Sequence, residues 1–190
     1  MLIKTPQRLV NTEGSLSIDG NPIASVSSTS YLGVIIDQDM TWKAHIDKIR
    51  KLIAPLVGII SKIRHIVPKS ILLLLYNSMI LPHICYCIEI WGNTFSSLLK
   101  PLLILQKKVV RFITFSDARA HTASLFQQLG ILNIYKQCEF NTCTFIFDLK
   151  NGSFSHSVYR YLDPVPHNYS THLKLLKTSL FLRLSLRNTI

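Results

Sequence analysis

Acidic residues are the first candidates for catalysis in this sequence, because two-metal phosphoryl transfer needs carboxylates that hold two cations about 4 Å apart. Asp37 and Asp39 form the closest pair, and no two acidic residues are adjacent. Both lie where a strand pattern gives way to a helix pattern. Turn formation and negative charge at a helix N-terminus are therefore their expected roles, and the sequence predicts no catalytic carboxylate.

Histidine and cysteine side chains offer a second kind of chemistry. His83, Cys85 and Cys87 are close in sequence, and Cys138 and Cys143 add two further thiols. Zinc sites need matched pairs such as CxxC, which do not occur here. We expect buried free thiols in a reducing compartment and no bound metal. Nucleophile-elbow, zinc-protease and P-loop motifs are also absent, so no catalytic motif is found.

Basic side chains carry the strongest functional signal. The chain of 190 residues has 21 Lys and Arg against 10 Asp and Glu, a net charge of +11, which suggests a polyanionic partner such as nucleic acid. One cluster, within a single helical turn, could follow a phosphate backbone without reading bases. A second cluster occupies an earlier helix, and a solvated surface is the alternative for both. The candidate residues are Lys107, Lys108 and Arg111 in the first, and Lys43, Lys48, Arg50 and Lys51 in the second.

The first 38 residues have the pattern of β-strands. Residues 15–18 alternate polar and apolar side chains, Asp19-Gly20-Asn21 is a hairpin signal, and residues 23–26 suit a return strand. The pattern of residues 31–36 predicts one further buried strand, in which Gly33 would mark a bulge or a close backbone approach.

Helical periodicity dominates after Asp37. An apolar stripe with steps of three and four residues predicts a first helix, with Thr41 as N-cap and a kink or break near Pro55. Pro68 begins a second, largely apolar helix that Pro82 should kink. Three more helices are expected over about 98–112, 122–129 and 133–150, and Gly130 ends the second of these in the left-handed conformation. The stripe comprises Trp42, Ile46, Ile49, Ile53, Leu56, Ile60 and Ile63.

These patterns predict a mainly α fold with a short N-terminal β-segment. We expect a β-segment over 1–38, a helical domain over 39–150, and a loop with a basic tail over 151–190. Residues 71–91 are nearly long enough to span a bilayer, but they include Glu89 and Pro82, so a buried helix is favoured. The N-terminus lacks an apolar signal region, so a cytoplasmic or nuclear location is expected.

Four segments in this order resemble the region after the catalytic site in reverse transcriptases of non-LTR, jockey-like retrotransposons. They are Tyr31-Leu-Gly-Val-Ile-Ile-Asp-Gln-Asp-Met-Thr-Trp-Lys-Ala-His-Ile46, Leu75-Tyr-Asn-Ser-Met-Ile-Leu-Pro-His-Ile-Cys-Tyr-Cys87, Trp91-Gly-Asn93 and Leu105-Gln-Lys-Lys-Val-Val-Arg111. The resemblance covers roughly residues 10–172.

The resemblance implies a primer-grip strand at Tyr31, Leu32 and Gly33, followed by a thumb-like helical bundle and its extension. It implies an inactive fragment, since the parent enzyme would use Mg²⁺ bound by adjacent aspartates that are absent here. Tyr169-Ser-Thr-His172 departs from the family's Tyr-x-Thr-Arg, so the arginine is lost and no phosphate contact is expected at this position. The alternative is a non-enzymatic nucleic-acid-binding or protein-interaction module reused from a transposon. The oligomeric state is left open.

Overall fold

Two short antiparallel hairpins begin the part of the chain that the computed structural model describes, residues 17–151. Strand β1 (Ser17–Ile18) pairs with β2 (Asn21–Pro22) around Asp19 and Gly20, whose φ angles are both positive. The predicted Asp-Gly hairpin is therefore confirmed. Its return strand is β2 and not residues 23–26, because a two-residue turn brings the chain straight back. The expectations for residues 15 and 16, Tyr169–His172 and the tail from residue 152 lie outside the described residues.

The second hairpin corrects the prediction of one strand over residues 31–36. Strand β3 (Ser28–Tyr31) pairs with β4 (Val34–Asp37), and Leu32 and Gly33 form the turn with φ angles of 45° and 83°. Gly33 serves a tight turn and not a bulge, since two-residue hairpin turns favour positive φ at both central positions. A short apolar run cannot show by itself where a strand reverses.

Helix α1 (Lys43–Ile63) has the predicted apolar stripe on its buried face, with Leu56 and Ile63 at its edge. Trp42 and not Thr41 is the N-cap residue, and it makes no side-chain capping bond. The carboxylate of Asp37 accepts the backbone N–H groups of Thr41 and Trp42 instead, at 2.9 and 2.8 Å. The helix does not break at Pro55, which is exposed. A proline on the water-facing side leaves the unpaired carbonyl to solvent.

The remaining helices follow the predicted order with one addition. The second predicted helix contains a π-helical segment that ends at Ile80, two residues before Pro82. Both π-helical turns and prolines are usual sites of helix kinks. The short helix α4 was not predicted. The bounds are α2 Lys69–Leu75, the π-helical segment Tyr76–Ile80, α3 Leu81–Cys85, α4 Ile88–Trp91, α5 Ser96–Ile113, α6 Thr122–Leu129 and α7 Ile134–Lys150.

Helices α1 and α5 form the centre of the core and run in the same direction. The Thr94 hydroxyl donates to the Thr41 carbonyl at 3.0 Å near their starts, and Arg64 lies over Phe112 near their ends. The described residues fall into two compact units that divide between Glu139 and Phe140. The fold is mainly α with two N-terminal hairpins, as predicted. Within residues 17–151, no helix is long and apolar enough to cross a membrane.

Candidate nucleic-acid interface

The basic cluster of α5 presents two cations without partners. Lys108 is exposed and Lys107 half-buried, and neither has a hydrogen bond or ion pair among the described residues. Val110 and Ile113 on the same helix are buried in the core, so the helix is held in place from its opposite face. The two lysines are therefore available to a polyanion, while the helix that carries them is fixed.

Arg111, the third residue of this cluster, has a structural contact. Its Nε and Nη2 atoms donate to the carbonyl oxygen of Ala120 at 3.1 and 3.0 Å. This pair of bonds holds the linker between α5 and α6 against the end of α5. A phosphate could reach only the remaining N–H groups of this guanidinium. Residue spacing could not predict this contact, because it joins residues on opposite sides of a loop.

Lys100 belongs to the same surface and was missed by the sequence analysis. It is exposed, and it lies seven residues before Lys107 on α5. Residues separated by seven and four positions share one face of a helix, so Lys100, Lys107 and Arg111 form a row about 16 Å long. The signal was present in this spacing, but a search limited to adjacent lysines does not detect it.

The second basic cluster, on α1, is partly neutralised. Asp47 accepts Arg50 at 2.7 Å and Lys51 at 3.0 Å, and all three side chains are exposed. Hydrogen bonds from Lys51 and then from Arg50 lower the pKa of Asp47 below its ordinary value. Lys43 is exposed and has no ion pair among residues 17–151. This surface therefore offers a weaker positive field than its four cations suggest.

The tip of the second hairpin, formed by Tyr31, Leu32 and Gly33, is fastened by side chains from elsewhere in the chain. Tyr86 donates its hydroxyl to the Leu32 carbonyl at 2.6 Å, and Lys48 donates its ammonium to the Gly33 carbonyl at 2.9 Å. Lys48, a candidate for phosphate contact, thus has an intramolecular partner. The side chains of Tyr31 and Leu32 themselves are exposed. The tip is a fixed, outward-facing feature beside α1.

Aromatic side chains divide between core and surface. Trp42, Tyr76 and Trp91 are buried in the core, whereas Tyr86 is 51% exposed. The reason is its bond to the hairpin tip, which keeps the hydroxyl end of the ring outward.

Asp37 has the structural role that its position predicted. Burial raises the pKa of this carboxyl, but the N–H groups of Thr41, Trp42 and Asp39 donate to it and hold the pKa below its ordinary value. Across residues 17–151, no group of three His, Cys, Asp or Glu side chains could hold a metal ion. The four cysteines form no disulfide, and only Cys138 is fully buried.

Comparison with known proteins links this chain to retrotransposons. It is 26% identical over 124 residues to the probable RNA-directed DNA polymerase from transposon X-element of Drosophila melanogaster, an alignment that covers 63% of this chain. The chain spans 14% of that relative's length. No family model matches the chain, and no solved structure does. The similarity supports an origin related to reverse transcriptase.

Proposed function

We propose that this chain is a fragment of a retrotransposon reverse transcriptase, from the region that follows the catalytic aspartates. The similarity to a transposon RNA-directed DNA polymerase over 124 residues carries this proposal. The arrangement of a fixed hairpin tip, an apolar helical core and outward lysines suits a primer grip followed by a thumb. Its role in the parent protein is to hold template–primer duplex and not to perform chemistry.

Phosphate contact by the α5 row is the part of this proposal that the geometry supports best. Lys107 in this row and Lys108 beside it have no carboxylate partner among residues 17–151, and Lys100 extends the row along the helix. Lysines act as point charges toward phosphate, which gives affinity without sequence preference. Magnesium has no place in this proposal, because the Asp37 carboxylate already accepts three backbone N–H groups and does not fit a metal ligand.

Salt-dependent binding tests the proposal. The chain should bind an RNA–DNA hybrid duplex, and Lys107→Ala with Lys108→Ala should reduce the slope of log K against log salt by about 2, one unit for each lost phosphate contact. The slope is measured by fluorescence anisotropy between low and physiological salt. The reduction should be equal for duplexes of different sequence.

The control removes the same charge from other helices. Lys69→Ala with Lys136→Ala should lower affinity slightly and leave the slope near that of the unmodified chain. Equal slope changes in both double variants would show that only net charge matters and that α5 is a solvated surface. Circular dichroism confirms that both variants remain folded.

A further inference from the structure

Phe115 occupies an unusual backbone position at the end of α5. Its φ angle is +55°, and its ring is 52% exposed. The N–H of Ser116 donates to the Arg111 carbonyl at 3.0 Å and the N–H of Phe115 to the Phe112 carbonyl at 3.3 Å. This pair of bonds is the common helix-ending motif in which the left-handed residue is usually glycine. A bulky side chain in that conformation is strained.

Helix α6 ends with the same motif and has glycine in the equivalent place. Ile131 N–H donates to the Phe126 carbonyl at 3.0 Å, and Gly130 N–H donates to the Gln127 carbonyl at 3.1 Å. Gly130 has φ +65°, close to that of Phe115. Glycine therefore forms the same helix-ending turn after α6. The backbone conformation alone does not explain why phenylalanine stands at this position after α5. Strained residues of this kind concentrate at binding sites.

The side chains around Phe115 are aromatic and basic. The ring of His65 lies 6.5 Å away, inclined by 55°, and it is exposed. Arg64 donates from Nε to His65 Nε2 at 3.0 Å, and its guanidinium lies 5.3 Å from the ring centre of Phe112. Lys108 precedes Phe112 by one helical turn, so it lies on the same side of α5. The nearest acid in sequence, Asp117, accepts the backbone N–H of Arg119 at 2.8 Å.

We propose that the surface formed by Arg64, His65, Lys108 and Phe115, here called the stacking platform, binds an unpaired nucleotide of single-stranded nucleic acid. The exposed Phe115 ring receives the base, since every base has a π-face that stacks on an aromatic ring. Arg64 and Lys108 contact the flanking phosphates. A net positive charge beside exposed rings fits nucleic acid better than an apolar protein segment. The platform shares Lys108 with the duplex contact proposed above, but Phe115, which receives the base, takes no part in that contact.

Oligonucleotide binding by the full chain tests the platform. The probes are a fluorescein-labelled dT12 strand and an abasic strand of the same length and charge, measured by anisotropy at one salt concentration. The unmodified chain should prefer dT12 by about 5- to 100-fold, the range that one base–aromatic stack contributes. Phe115→Gly should reduce the affinity for dT12 to that for the abasic strand. Phe115→Tyr, which keeps an aromatic ring, should bind dT12 as tightly as the unmodified chain does. Affinity for the abasic strand should stay constant throughout.

Two controls separate this result from loss of folding and from general effects. Phe115→Gly removes the strain, so its thermal midpoint should equal or exceed that of the unmodified chain. Phe95→Gly removes another exposed ring, at the start of α5, and should keep the preference for dT12. Equal affinity of the unmodified chain for both strands would overturn the platform. Unchanged dT12 affinity in Phe115→Gly would also overturn it and point to a protein partner for this surface. The duplex salt slope depends on Lys107 and Lys108 and is a separate readout.

Discussion

His45 is a buried histidine at the junction of α1 and β4. It is 3% exposed, its Nδ1 accepts the Ile35 N–H at 3.3 Å, and its ring meets Trp91 edge-on at 5.6 Å. The proton of the neutral ring is therefore on Nε2, which has no hydrogen-bond partner among the described residues. Burial, and then the charge of Lys48, lower the pKa of His45. His45 thus joins α1 to β4 only while it is neutral.

Acid should destabilise the protein through this histidine. The unfolded chain binds a proton at His45 below pH about 6.5, and the folded chain resists it, so the free energy of unfolding should fall as pH drops below that value. His45→Leu lacks the bond to Ile35 at every pH, so its stability should depend less on pH. Between pH 7.5 and 5.5, its free energy of unfolding should fall by about 1 kcal/mol less than that of the unmodified chain. Urea unfolding at both pH values measures this. His83→Ala changes an exposed histidine and should keep the full pH dependence. If the free energy of unfolding fell equally in all three proteins, His45 would not be the source of the pH dependence.

Close packing around position 92 explains why glycine stands between Trp91 and Asn93. A Cβ atom on Gly92 would lie 2.5 Å from the Ile88 carbonyl oxygen and 2.7 Å from the Cys138 sulfur, so α4 and α7 meet only over glycine. Gly92→Ala should lower the free energy of unfolding by about 3 kcal/mol, because backbone cannot move aside. Gly58→Ala is the matched control: it has open space in α1 and should stabilise by up to about 1 kcal/mol. Chemical denaturation measures both, and a tolerated Gly92→Ala would refute the close packing.

Elements with a periodic pattern could be predicted from sequence, and contacts between distant residues could not. The stripe of α1 and the end of α6 at Gly130 follow from local spacing and local backbone preference, and both are confirmed. The reversal at Leu32 was missed because non-glycine residues rarely adopt positive φ, and its hairpin is held by residues far along the chain. The left-handed conformation of Phe115 was missed for the same reason, and its ring contact with His65 comes from the end of α1.

Stability across the whole molecule should be uneven. Every residue from 17 to 33 is exposed, and Val34 is the first core residue of the part of the chain that the structure describes. Helix α5, in contrast, contributes Leu102, Val109 and Val110 to the core. Hydrogen exchange should therefore be fastest for β1 and β2, slower for β3 and β4, and slowest for α5, since local opening follows the amount of buried contact. Protection of residues 17–33 equal to that of the buried helices would contradict this order.

The hairpin tip links the outer part of the molecule to this core, and its fastening can be tested separately. Tyr86→Phe removes the 2.6 Å bond to Leu32 and nothing from the core. Loss of about 1 kcal/mol should speed amide exchange in β3 and β4 by about fivefold and leave α5 unchanged. Tyr135→Phe removes a comparable bond to the Ser96 carbonyl and should leave the hairpin unaffected. If Tyr86→Phe instead speeds exchange in α5 as strongly as in β4, the second hairpin and the helical core open as one cooperative unit.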